Sequence, residues 1–323
     1  MIISRTPLRI SLAGGGTDLA EFYRSGSGAV VSTAIDKYMY ITVNRYFDDS
    51  IILKYSKTEL VRSVEEVQHP LLRECLRKTG VLRGVEITSM ADVVGGTGLG
   101  SSSSFTVGVL HALYAFKGQF RTQDELAREA CEVEIRRLRE PIGKQDQYIA
   151  AYGGFQFTEF MPDETVRVDP LICPVRTFDR LLERLVLVYS GITRSAGAVL
   201  RKARAGFRAH RDALVRMRGQ ATQLRQELQK GNVDSVGPIL REGWELKKSL
   251  ASGVTNPVID VAYEAALRAG AEGGKVLGAG GGGFLLLFCP PAKRQKVVRA
   301  MRGWREIPFR LEPEGSKIIY VSK

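Results

Sequence analysis

Cysteine is scarce and scattered in this chain of 323 residues. Cys75, Cys131, Cys173 and Cys289 stand at least 42 residues apart, so no close pair marks a zinc or dithiol redox motif. Reduced, mostly buried thiols are the expectation. No apolar run approaches the roughly 20 residues that a membrane helix needs. The opening stretch MIISRTPLRISLAGGG lacks a signal-peptide pattern, because Arg5 and Arg9 interrupt its apolar residues. A soluble, cytoplasmic protein without a membrane partner is therefore expected. Repeats, low-complexity tracts and proline-rich linkers are also missing, so the chain reads as continuously folded. The glycine-rich stretch at 95–104 lacks the lysine of a Walker A loop and the final glycine of a GxGxxG turn, and no strand–GxGxxG–helix unit with a downstream acid is present. That speaks against P-loop NTPases and nicotinamide dehydrogenases.

What is present is ordinary globular composition, 44% hydrophobic and 8% aromatic, with a strong basic balance. Lys plus Arg exceeds Asp plus Glu, 47 against 35, for a net charge of +12. Nucleic acid, an acidic surface or a phosphorylated small molecule could answer that charge. Much of the surplus sits in 201–230, a long helical pattern with apolar positions at Phe207, Leu214, Met217, Leu224 and Leu228. A solvated basic face is the plain reading of that helix; a field that draws in anionic substrates is the other. Stacking aromatics and a recognisable nucleic-acid module are both missing, so nucleic acid is not the expected partner.

The pattern predicts strands at 2–12, 28–44, 84–89, 155–160 and 184–190, and helices at 103–116 and 122–138. Thr122 and Glu125 form a capping box for the second of these helices. The second half reads as helices at 195–230, 235–251 and 257–271, a strand–turn–strand at 275–288, a helix at 292–302 and strands at 306–312 and 317–322. Without a regular βαβ rhythm the fold class is α+β. Pro162, Pro170 and Pro174 suggest a boundary that divides the chain into units 1–175 and 176–323.

Three glycine clusters and an acidic pair carry chemistry. GGTGLGSSSSFTVGVLHAL (95–113) places glycines between a strand and a helix start. There, backbone N–H groups can close on a phosphate, and the serines can cap the helix or reach a metal; an N-capped helix after a flexible turn would look similar. RTPLRISLAGGGTD (5–18) ends a strand in three glycines followed by Thr17 and Asp18, which suits a ligand or a tight turn equally. GGKVLGAGGGGFLLLF (273–288) sets Gly280 to Gly283 before an apolar strand, and four glycines exceed what a hairpin needs. Glu134, on the helix at 122–138, and Asp146, in a loop within EPIGKQDQYIAAYGG (140–154), could supply a carboxylate for Mg²⁺ and a group that positions an attacking hydroxyl.

Together these motifs resemble the GHMP kinase superfamily over nearly the whole chain. RTPLRISLAGGGTDL, AIDKYMYITV and EPIGKQDQYIAAYGG resemble its D-glycero-D-manno-heptose 7-phosphate kinase branch, with fucokinase domains as relatives. The resemblance implies an N-terminal, ATP-binding unit like ribosomal protein S5 domain 2, and a ferredoxin-like C-terminal unit with the site in the cleft between them. It implies ATP and Mg²⁺ as cofactors and transfer of a phosphoryl group to the anomeric hydroxyl of heptose 7-phosphate. A free sugar such as fucose as acceptor, and a catalytically silent sugar or nucleotide binder, are the alternatives.

Carried over by residue, the resemblance makes Asp146 and Arg9 catalytic. Gly96, Thr97, Gly98, Leu99, Gly100, Ser101, Ser102 and Ser103 hold the nucleotide, and Ser102 and Glu134 the metal. Gly15, Gly16, Thr17, Asp18, Gly280 and Gly281 meet the sugar. Arg194, in SGITRSAG (190–197), is expected to meet a substrate phosphate; Lys247 and Lys248 are further basic positions, at least one of them on a solvated face. Pro141 and Asp146 are separated by five residues, one more than in the mevalonate-type pattern, which leaves the geometry around Lys144 open. A homodimer is compatible with the sequence.

Overall fold

The structure is a computed structural model and describes residues 1–192 and 210–322. An eight-stranded sheet is built from β1 (Ile2–Ala13), β2 (Gly28–Arg45), β3 (Ile51–Lys54), β4 (Thr58–Val61), β5 (Val85–Ala91), β6 (Phe155–Phe160), β7 (Val166–Pro170) and, from the far end of the chain, β12 (Lys317–Val321). Its order is β12-β1-β2-β5-β3-β4. The eighteen-residue β2 pairs with β6 through its first half and with β5 through its second, and β7 extends β6. A second sheet has the order β11-β8-β10-β9, formed by β8 (Leu185–Tyr189), β9 (Gly273–Val276), β10 (Phe284–Phe288) and β11 (Arg305–Glu306). Among the described residues all ladders are antiparallel except β3 with β5. Fold class is α+β, as the irregular mixture of elements implies.

The apolar helix Ser101–Phe116 forms the centre of the first core. Eleven of its residues are buried, and Gly108 lies so near β1 that a Cβ there would stand 2.8 Å from Thr6 Oγ1. Ser104 Oγ donates to Pro7 O at 2.7 Å, tying the helix start to the same strand. A second core is shared by both sheets: Leu8, Ile10 and Leu12 of β1 pack with Leu187 of β8 and Leu286 and Phe288 of β10. The two sheets are thus joined by a common apolar core.

Several elements depart from the sequence pattern for identifiable reasons. The helix expected at 122–138 runs as an α-helix only over Gln123–Cys131, with the Thr122–Glu125 capping box in place, and widens into a π-helix over Glu132–Arg137. Asp146 lies in the first turn of a helix, Gln145–Tyr152, and not in a loop. The strand expected at 306–312 shrinks to Arg305–Glu306: Pro308 cannot donate to a ladder. The chain there leaves β8, where Ile307 N donates to Leu187 O, and crosses to the first sheet, where Asp36 N donates to Arg310 O. With β12 paired to β1, the last part of the expected unit 176–323 belongs with the first sheet.

Of the helix expected at 195–230, the described part is Arg211–Gln229; its residues Leu214, Met217, Leu224 and Leu228 are buried as the spacing implies. Its arginines are engaged with the protein itself. Arg218 donates to Gly26 O at 2.6 Å, and Arg225 pairs with Asp169 and lies over the Phe157 ring.

Candidate active site

Both sheets contribute to a cavity of about 370 Å³. Its roof is the turn before helix Ser101–Phe116, where Gly96, Gly98 and Gly100 all have positive φ, 76°, 91° and 74°. Among the described residues no side chain caps that helix, and its first residues line the cavity with the positive end of the dipole behind them. Ser101, Ser102 and Ser103 line the same wall. Thr97 and Leu99 belong to the loop but not to the lining. Thr97 is buried and donates to Val94 O at 2.8 Å, and Leu99 is fully buried in the shared core.

The third glycine cluster is packed against this turn, backbone on backbone. A Cβ on Gly98 would fall 2.6 Å from Leu277 O, and one on Gly278 would fall 2.5 Å from Gly98 Cα. Only glycine permits that approach. Gly278, Ala279 and Gly282 line the cavity. The expected contacts Gly280 and Gly281 do not: Gly281 N donates to Val254 O at 2.6 Å, and a Cβ on Gly280 would strike the same carbonyl at 2.5 Å. Lys247 caps the loop by donating to Val276 O at 2.7 Å and Gly278 O at 2.6 Å, whereas Lys248 pairs with Glu245 on the helix surface.

Arg9 and Asp146 meet across the cavity floor. The guanidinium grips the carboxylate through two bonds, Nε to Oδ1 and Nη2 to Oδ2, each 2.7 Å, while Nη1 donates to Gly98 O at 2.5 Å. Arg9 is thereby coupled at once to the acidic group and to the glycine turn. Asp18 is buried beside them and accepts from Gly16 N at 2.9 Å and Gln145 N at 3.1 Å. Burial first, and then the Asp146 charge, push its carboxyl above the usual range. Gly143 is required here, since a Cβ would lie 2.0 Å from Asp18 Oδ2. Gly15 and Gly16 line the cavity, but Thr17 turns away and donates to Gly14 O and Ala29 O. Lys144 also points elsewhere: its Nζ pairs with Glu164 at 2.6 Å.

Glu134 reaches the serine-lined wall because the π-helix carries it inward. Fully buried, it accepts from Ser102 Oγ and Ser103 Oγ at 2.8 Å each and from Gln147 Nε2 at 2.6 Å. Among the described residues no lysine or arginine pairs with it, and burial lifts its pKa from 4.5 to about 7. A displacement of that size is worth roughly 3 kcal/mol against the ionised form. The native state keeps the proton up to about pH 7 while the unfolded chain releases it near 4.5, so stability from this group falls as pH rises between the two. Glu134→Gln abolishes that loss. The Tm difference, variant minus wild type, should therefore become more positive from pH 5 to pH 8 in the nucleotide-free protein, and a difference independent of pH would contradict the assignment.

The expected phosphate contact Arg194 lies outside the described residues. Sequence reasoning gave no cavity role to Lys275, Gln145 or His210, all of which line the cavity.

The GHMP kinases N terminal domain family model matches residues 62–154, and the GHMP kinases C terminal model matches 224–305. The D-glycero-alpha-D-manno-heptose 7-phosphate kinase of Campylobacter jejuni is 30% identical over 318 residues, covering 93% of each chain. The bifunctional fucokinase/GDP-fucose pyrophosphorylase of Arabidopsis thaliana is 27% identical over 91% of this chain and 30% of its own length. The crystal structure of a D-glycero-D-manno-heptose 1-phosphate kinase from Bacteroides thetaiotaomicron matches with a TM-score of 0.83 and 27% identity over the whole of both chains. This chain belongs to the GHMP kinases and is a phosphotransferase that acts on a sugar hydroxyl.

Proposed function

We propose that this protein transfers the terminal phosphoryl group of ATP to the anomeric C1 hydroxyl of D-glycero-D-manno-heptose 7-phosphate, giving the 1,7-bisphosphate. The observation that carries this reading is the fork-to-fork Arg9–Asp146 pair, set between the sugar-side carboxylate Asp18 and the glycine turn at 96–100. The relatives supply the sugar: two of them are named as heptose kinases, one for a 7-phosphate and one for a 1-phosphate.

The residues suit a magnesium nucleotide. Three positive-φ glycines and an uncapped helix start make a concave set of N–H donors for phosphate oxygens. Ser102 and Glu134 offer hard oxygen ligands, and Glu134 is a buried carboxylate with no protein cation beside it among the described residues, the donor type that Mg²⁺ takes. Bound there, the ion would neutralise charge on the phosphate oxygens. Asp146 orients the sugar hydroxyl and accepts its proton, held in one direction by Arg9. The Arg9 guanidinium, desolvated by the surrounding core, balances negative charge at the reacting centre. Because phosphoryl transfer is loose and in line, this positioning counts for more than base strength.

The test is a comparison of kcat/KM with Mg-ATP for heptose 7-phosphate, unphosphorylated heptose, fucose, galactose and mannose. The heptose 7-phosphate should exceed every free sugar by at least about 10²-fold, since a phosphate contact contributes several kcal/mol. Preference for fucose, in line with the fucokinase relative, would replace the acceptor and leave the reaction class intact.

A further inference from the structure

β9 is a buried strand of glycine and apolar residues with one exception, Lys275. Only 6% exposed, this lysine nevertheless lines the cavity. Its ammonium reaches across from the second sheet to β1 and donates to Leu12 O at 3.3 Å, its one hydrogen bond among the described residues. No carboxylate pairs with it there, and residues 193–209, outside the described set, contain no Asp or Glu. The charge it feels most is another cation, Arg9, which is itself matched by Asp146. Burial and that neighbour lower its pKa from 10.5 to about 8. An ammonium kept in such surroundings without a counter-charge opposes folding.

A second unfilled group lies on the same floor. Alternation along β1 sends Arg9 and Ser11 to one face, and both line the cavity. Ser11 is 5% exposed, and its Oγ has no hydrogen-bond partner among the described residues. Gly15 keeps the space above it open: a Cβ there would lie 3.5 Å from Ser11 Oγ. Two donors with vacant bonds, next to a third cationic donor, match the charge and the several acceptor oxygens of a phosphate.

We infer that Lys275 and Ser11 form a second phosphate-binding subsite on the cavity floor, distinct from the glycine turn at 96–100. The phosphate comes from one of two sources. One is the terminal phosphate of the nucleotide; the other, which rests on the heptose 7-phosphate reading, is the phosphate already carried by the acceptor.

Equilibrium binding to wild type, Lys275→Met and Ser11→Ala tests this with four probes: a non-hydrolysable ATP analogue, ADP, heptose 7-phosphate and free heptose. Lys275→Met should weaken one phosphate-bearing probe by about 10-fold or more, and Ser11→Ala by several-fold. Loss for the ATP analogue but not ADP identifies the nucleotide as source; loss for heptose 7-phosphate but not free heptose identifies the acceptor. The Tm of Lys275→Met should equal or exceed wild type, because the variant removes a buried unpaired charge at similar length. Unchanged affinities for all four probes in both variants would overturn the inference, and a fall in Tm alongside them would make Lys275 a staple between the sheets. If Lys275→Met does not fold, Ser11→Ala decides. A wild type that ignores heptose 7-phosphate, but loses ATP-analogue affinity on Lys275→Met, would discard the acceptor and keep the subsite.

Discussion

Asp146→Asn should lower kcat by about 10²-fold or more with a much smaller change in KM. Asparagine preserves the volume but offers one acceptor and no charge. Arg9 then loses one of its two 2.7 Å bonds, and the sugar hydroxyl loses the group that receives its proton. Arg9 remains buried with its charge unmatched, so some stability is lost as well; Asp146, whose side chain is 24% exposed, lets water offset part of that cost. Thermal melting alongside steady-state kinetics separates the two effects. A folded variant with near-normal turnover would remove Asp146 from the chemistry.

Gly98→Ala should act on the nucleotide. The residue sits at φ 91°, where a Cβ costs about 1 kcal/mol or more by itself. The larger effect is the collision with Leu277 O at 2.6 Å, because that carbonyl belongs to the backbone of the third glycine loop and cannot rotate away. Two loops from two sheets must separate, and Arg9, bound to Gly98 O, moves with them. KM for ATP should rise and kcat fall, together about 10²-fold in kcat/KM, since misplacement near 1 Å is enough for that. Gly26→Ala is the control, with no atom of the described residues within 4 Å of its Cβ and no place in the cavity lining. Equal behaviour of the two variants would show that the close approach of the loops has no functional weight.

Most strands and helices were legible because their patterns are local. β6 alternates as FQFTEF, Thr122 and Glu125 cap the helix that follows them, and the glycine turn precedes an apolar helix. The π-helix at Glu132–Arg137 leaves no such mark: the residues suit an α-helix, and only packing selects the wider turn that brings Glu134 to Ser102 and Ser103. Helix Gln145–Tyr152 is short, and its apolar residues follow no helical stripe because it is buried on most sides. The glycines of the third cluster were readable as more than a hairpin needs, but which of them face the cavity depends on contacts between sheets. Gly278 and Gly282 face it, while Gly280 and Gly281 pack against Val254. For Lys275 a signal was available, a single charge in an otherwise apolar, glycine-rich strand. Its lack of a carboxylate partner among the described residues is a tertiary property.

Phosphorus NMR of the product is the most direct test of the proposed reaction. Wild-type protein supplied with Mg-ATP and D-glycero-D-manno-heptose 7-phosphate should yield ADP and a sugar with two phosphate resonances, the new one coupled to the anomeric proton. A new phosphate ester at any other carbon, or heptose 7-phosphate left unchanged while a free sugar is consumed, would contradict it.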